Sequence, residues 1–210
     1  MVLTFAFSSC ESAEEKTKRM ARKEAQRIEL EEKRKSEEAV RAYKLEQEQI
    51  KREERLEQER QEKDIYDKYI NNSLSTGSTP YSYCYGKNKS CSEYGCSQIK
   101  VTTPYNSDVL VTIKRNDIVV RHAYIKAGSS YTFEIPDGTY QPFFYYGKGW
   151  NPEKVMKQTS SGTLKGGFIS NESFGKDSPQ RLSNEILEYR LILQHNGNFS
   201  TQPSNVNDAL

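Results

Sequence analysis

Six residues of this chain are suited to metal, redox or nucleophilic chemistry: Cys10, Cys84, Cys91, Cys96, His122 and His195. Cys84, Cys91 and Cys96 with His122 would supply four zinc ligands, but their spacing lacks the paired short gaps of structural zinc sites. In an oxidising compartment one disulfide and one remaining thiol is the simpler outcome for the three later cysteines. Cys91 with Cys96 closes the shorter loop, with Gly95 giving turn freedom; Cys84 with Cys96 is the rival, and spacing does not choose between them. Both histidines fall in strand-like stretches and read as sheet-surface residues. The chain has no Gly-x-Ser-x-Gly elbow, phosphate loop or His-Glu-x-x-His helix. The expectation is therefore no catalytic residue, no metal and no cofactor.

Cys10 stands apart. Met1-Val2-Leu3-Thr4-Phe5-Ala6-Phe7-Ser8-Ser9-Cys10 is apolar, ends in small residues and a cysteine, and is followed at once by Glu11. It resembles part of a bacterial lipoprotein signal, in which small residues expose the bond before a lipid-bearing cysteine. It is shorter than a full signal, has no basic start, and carries Phe7 where leucine is usual. No other stretch approaches the ~20 apolar residues of a membrane span, so lipid on Cys10 would be the membrane anchor. The expected location is the bacterial cell envelope, at the outer membrane in preference to the inner. The alternative is a frayed apolar N-terminus on a cytoplasmic protein.

The remaining candidate chemistry is recognition. Phe143-Phe144-Tyr145-Tyr146 alternates in a strand, so Phe143 and Tyr145 face one side and Phe144 and Tyr146 the other. One pair fills a core; the other needs a ligand or a cover, which Lys165-Gly166-Gly167-Phe168 or a late strand would supply. Lys148-Gly149-Trp150-Asn151-Pro152 reads as a loop presenting Trp150. Tyr146, Lys148 and Trp150 are thus the candidate binding residues, for a sugar ring or a protein partner.

The elements that must position these residues divide by composition. Charged residues are 29% of the chain and hydrophobic ones 34%, lean for one compact core, and the charge is concentrated in residues 11–70. A net charge of +2 with both signs interleaved offers no basic field for nucleic acid. From Glu11 to Thr76 there is neither Gly nor Pro, and acids precede bases by four residues at Glu14 and Lys18, Glu31 and Lys35, Glu59 and Lys63, and Asp64 and Lys68. That pattern predicts a long helix held by pairs worth a few tenths of a kcal/mol each. Ala21, Ala25, Ile28, Ala39 and Ala42 keep step, but Glu32 and Lys35 interrupt them and Leu45, Ile50 and Leu56 fall off the stripe. A single helix or a weak coiled coil follows, and hence a monomer or a weak helix-mediated oligomer.

Residues 71–97 read as a linker with a cysteine-containing segment, 98–202 as a β-sandwich and 203–210 as a disordered tail. In the sandwich, Val109, Val111 and Ile113 alternate, Asn116-Asp117 turns, and Ile118 to Lys126 returns. Tyr131, Phe133 and Ile135 precede a turn at Pro136-Asp137-Gly138, Thr139 to Tyr146 follows, and Leu187 to Leu193 forms a late strand. With Gln98 to Thr103 that makes at least six strands.

The stretch from Ala127 through Tyr131-Thr132-Phe133-Glu134-Ile135-Pro136-Asp137-Gly138-Thr139-Tyr140 resembles the strand and Pro-x-Gly-x-Tyr segment of prealbumin-like and PEGA-like sandwiches in bacterial envelope proteins. Over Tyr105 to Ser200, including Phe143 to Pro152 and Asn196-Gly197-Asn198-Phe199-Ser200, the chain is similar to an uncharacterised (lipo)protein family of Bacteroidota. The resemblance implies an envelope setting and carries no activity. The expectation is a non-enzymatic lipoprotein whose charged helix spaces a β-sandwich binding or structural head; the alternative is an unanchored adaptor that assembles through the helix.

Overall fold

The computed structural model describes residues 12–91, 95–159, 162–192 and 202–210; Cys10 and His195 lie outside them. The chain divides into two compact units at Gln61/Glu62. The architecture is a long helix followed by a small β-sandwich.

Helix α1 runs from Ala13 to Tyr69, 57 residues. Ser12 and Glu15 start it with a reciprocal box, in which the Glu15 amide donates to Ser12 Oγ at 3.3 Å and the Ser12 amide to Glu15 Oε2 at 3.3 Å. Glu14 and Glu15 in the first turn and Lys68 in the last complement the helix dipole. Of the acid-to-base pairs, Glu14–Lys18 closes at 3.0 Å and Glu31–Lys35 at 3.3 Å. Lys63 instead turns forward to Asp67 at 2.6 Å, and further pairs form at a spacing of three, Glu24–Arg27 and Glu57–Arg60. All are solvated, so each adds little. Tyr69 is the one buried residue of the helix.

The head comprises α2 (Ser82–Tyr85), β1 (Cys96–Thr102), β2 (Asp108–Arg115), β3 (Ile118–Ile125), β4 (Ser130–Pro136), β5 (Gly138–Thr159), β6 (Gly162–Lys176), β7 (Gln180–Leu182), β8 (Ile186–Arg190), β9 (Gln202–Pro203) and α3 (Val206–Ala209). A three-stranded sheet has the order β4-β1-β8 and a larger one the order β3-β2-β5-β6-β9, with β7 on β5. The β2–β3 hairpin closes at Asn116 and Asp117, both with positive φ (51° and 63°), as a two-residue turn between twisted strands requires. Pro136-Asp137-Gly138 turns as expected, but it carries the chain from the small sheet to the large one. Tyr140 secures this corner by donating from its hydroxyl to the Pro136 carbonyl at 2.8 Å. The Asn184 amide and the Ser97 hydroxyl hold the Asp137 carboxyl below its usual range.

Between the sheets lies one core, with Ile99, Val101, Val109, Val111, Ile113, Phe133, Ile135 and Phe144 among its buried members. The far face of the large sheet carries a second, built on Leu110, Tyr124, Phe143, Tyr145, Trp150, Leu164 and Phe168.

That second core corrects three boundaries. Residues 71–97 do not form a free linker: Tyr81 is 0% exposed, Gly77 donates to the Tyr124 carbonyl and Tyr124 to that of Ser78, each at 2.8 Å, and β1 already begins at Cys96. Residues 203–210 are not a disordered tail. Asn205 caps α3, Ala209 and Leu210 are buried, and the carbonyls of Asn207, Asp208, Ala209 and Leu210 accept from Lys157, Lys114, Thr112 and Tyr85. The head therefore extends past both limits of 98–202. The physical reason is shared: Tyr, Thr, Ser and Asn read as solvated, yet they cover an apolar face while most of their polar atoms find partners, the Ser204 hydroxyl being an exception.

A fragment from Glu62 to Leu210 should therefore unfold in one cooperative transition. A fragment from Tyr81 loses the hydrogen bonds of Asn72, Ser73, Gly77 and Ser78, and should be less stable by roughly 3–5 kcal/mol in urea. Equal midpoints for the two fragments would contradict this role for residues 62–80.

Candidate functional site

Trp150 is the hub of the second core. It lies inside β5, paired with Phe168 of β6, and is 2% exposed. The expected exposed loop at Lys148–Pro152 is thus replaced by strand. The glycines that suggested a loop serve close approach: Gly149 adopts φ +71°, and a Cβ there would stand 2.8 Å from the Tyr69 carbonyl oxygen and from Ile70 Cα. The indole meets Tyr124 and Phe168 edge-on, with centroids 5.4 and 5.3 Å away. Asn72 clamps its backbone, accepting from the Trp150 amide at 2.8 Å and donating through Nδ2 to its carbonyl at 2.6 Å.

The four aromatics before it divide as alternation requires. Phe144 and Tyr146 enter the inter-sheet core, and Phe143 and Tyr145 the second one. Phe168 is among the residues covering the second pair, as the sequence alternative allowed, with Tyr81, Tyr85 and α3 completing the cover. Tyr146 is accordingly interior, not a contact surface.

Buried polar groups fasten this cover. The Asp108 carboxylate accepts from the Ala127 amide at 2.7 Å and the Ser73 hydroxyl at 2.9 Å, and also from the Tyr124 hydroxyl. Burial raises the Tyr81, Tyr124 and Tyr145 phenols far above their ordinary range, so they act as neutral donors. His122, expected on the sheet surface, is 1% exposed because the 79–88 segment lies over it. Its Nε2 accepts from the Tyr81 amide at 3.2 Å, its ring stacks on Tyr81, and its backbone pairs with the Asn88 amide. Burial pushes the imidazole down to about 4, only partly offset by the Thr79 backbone.

Cys91 and Cys96 are bridged, which removes both from any zinc set with Cys84 and His122. Cys84 packs beside the second core. Among the described residues no three of His, Cys, Asp and Glu converge on a metal position, and no helix is long and apolar enough to cross a membrane.

Two clefts flank the stretch that leaves α1. An open groove of about 740 Å³ is lined by Leu74, Pro80, Tyr83, Trp150, Pro152 and Lys165 among others. Tyr83 is 57% exposed, and its hydroxyl accepts from the Lys165 amide at 2.6 Å, which fixes the ring along the groove. On the other side, a polar cleft of about 200 Å³ includes Asn71, Tyr105, Asn106, Lys126 and Lys148. The structure thus separates the three candidate residues: Tyr146 is inside, Lys148 lines the polar cleft and Trp150 the groove. Sequence reasoning missed Tyr83 and Tyr105. Tyr105 did carry a signal, as an aromatic between Pro104 and Asn106 with no place in either flanking strand.

Two measurements test this arrangement. Trp150→Ala should cost about 3–5 kcal/mol, as for a buried large aromatic, and the native indole should emit in the blue and resist iodide; a surface-like loss below ~0.5 kcal/mol would contradict its burial. For His122 the folded form disfavours the proton, so its contribution is complete above the unfolded value of ~6.5 and is lost as pH falls toward about 4. Urea titrations should show wild type losing up to ~3 kcal/mol more than His122→Gln between these limits, and parallel losses would contradict it. No protein-family model matches the chain, and neither a curated protein nor a solved structure does, so its function rests on what these residues can do.

Proposed function

We propose that this protein is a non-enzymatic lipoprotein of the bacterial cell envelope, in which the charged helix is a spacer and the β-sandwich head binds a ligand. The observation that carries the reading is α1 itself, 57 residues with Tyr69 as the one buried member. At ~1.5 Å per residue such a helix has a contour of about 85 Å, and it contributes no core on the way. A helix of this kind separates what is fixed at one end from what is displayed at the other. The Cys91–Cys96 bridge supports a compartment outside the reducing cytoplasm. Ser8-Ser9-Cys10-Glu11 supplies the acylation site, and the envelope setting agrees with the resemblance to Bacteroidota proteins.

A specific observation favours a second reading, an unanchored adaptor assembling through α1: Ile28, Leu30, Leu45, Ile50 and Leu56 are exposed on the helix. Their irregular spacing makes a poor seam. Sedimentation equilibrium separates the readings, a monomer favouring the spacer and a stable dimer the adaptor.

The anchor is tested in cells. With a complete signal upstream, Cys10→Ala should move the protein from the detergent phase to the aqueous phase, and mass spectrometry of the membrane form should find lipid on Cys10. Unchanged partitioning of the variant would overturn the anchored reading.

A further inference from the structure

We infer that the polar cleft beside the end of α1 binds an acidic saccharide, with the Tyr105 ring as the platform for the sugar and Lys126 and Lys148 as the partners of its carboxylate. The inference rests on the reading of the head as a binding module and deepens it by naming a ligand class.

The platform comes first. Tyr105 is 94% exposed, yet it is not held loosely. Its ring lies against Gly128, where a Cβ would stand 2.8 Å from Tyr105 Cδ1. The backbone beneath is pinned by the Gly128 amide on the Pro104 carbonyl at 3.0 Å. Thr103 Oγ1, just before, donates to the Lys126 carbonyl at 2.7 Å. One edge of the ring, at Cδ1 and Cε1, therefore approaches Gly128 and the rest is open. An exposed, preorganised aromatic face is what a pyranose ring stacks on, and ordering it in advance spares entropy on binding.

The exposed charge of the cleft is positive, set against one buried carboxylate. Lys126 and Lys148 are both exposed members of its lining, one just past the end of β3 and one on β5, and neither side-chain ammonium has a hydrogen-bond or ion-pair partner among the described residues. Asp108, the lining carboxylate, is buried and both its oxygens are engaged, by Ala127, Ser73 and Tyr124. The end of α1 offers no counterweight at Tyr69, whose carbonyl accepts from the Asn72 amide at 2.9 Å. Two lysines thus line the same cleft as an open aromatic ring, with the Asn71 and Asn106 amides able to donate to and accept from hydroxyls. A neutral sugar leaves the lysines idle, and a bare phosphate leaves the ring idle. A uronic acid uses both.

The volume fits the assignment. About 200 Å³ holds a single sugar ring rather than a long chain, so recognition of a polymer would be through one residue or a chain end.

The test uses the full chain and galacturonic acid oligomers, with the methyl-esterified oligomers as a probe of equal shape without charge, and inorganic phosphate as charge without a ring. Calorimetry should show binding of the acid form, at least about tenfold weaker binding of the ester and of phosphate, and a loss of about tenfold in Tyr105→Ala and in Lys148→Ala. Lys148→Arg should retain most of the affinity. All three variants should melt with the wild type, because the positions are exposed. Equal binding of acid and ester, or binding that survives both alanine substitutions, would overturn the site while leaving the head a binding module. Binding of none of the three probes would overturn the ligand class, and the membrane partitioning of Cys10→Ala would still decide the anchored reading separately.

Discussion

The head depends on one constraint: its large sheet is apolar on both faces. In β2 seven consecutive residues, Asp108 to Lys114, are buried, which a sheet with one wet face would not allow. The small sheet covers one side. Something must cover the other, or Leu110, Tyr124, Phe143 and Tyr145 would face water. The cover is assembled from pieces far apart in sequence: the stretch after α1, the one-turn α2, the β5–β6 hairpin folding across, and α3. Aromatic rings fill it, and their polar atoms are satisfied in place, as where the Tyr81 hydroxyl donates to the Gly166 carbonyl at 2.6 Å. A cover rich in tyrosine can bury area and still meet solvent at its rim.

The same cover creates the surface on which recognition can occur. Residues 70–74 cross β5 at Gly149 and Trp150, and the crossing makes a wall shared by both clefts. Gly149 allows the end of α1 to sit directly on the strand, and Asn72 binds both the N–H and the carbonyl of Trp150. The apolar groove and the polar cleft are therefore consequences of how the sandwich closes its second face.

The sequence revealed the fold class and most strands, because alternation and turn chemistry are local. Val109-Val111-Ile113, the positive-φ pair Asn116-Asp117 and the Pro136–Gly138 turn all stand where their residue types require. So does the helix, whose lack of Gly and Pro is decisive over such a length. What was hidden is non-local. Leu110, Thr112 and Lys114 read as an outward face because the residues that cover them, Tyr81, Tyr85 and Leu210, lie in stretches that look polar. Trp150 read as a loop because Gly149 and Asn151-Pro152 favour a turn in isolation; the packing role of Gly149 appears only when β5 meets the end of α1. Of the residues lining the polar cleft, Lys148 was named a candidate from the sequence, as part of a loop that proves to be strand. Tyr105 and Lys126 needed the fold to meet.

The central claim is that the stretch after α1 is part of the folded head and so gives both clefts a fixed wall. Native-state amide hydrogen exchange on the full chain tests it most directly. The amides of Gly77, Tyr81, Tyr124 and Trp150 donate to Tyr124, His122, Ser78 and Asn72, and should be protected to within about tenfold of the Leu110 and Val111 amides in β2. Exchange of Gly77, Tyr81 and Trp150 at the rate of unstructured peptide, with β2 still protected, would contradict the account and dissolve both clefts.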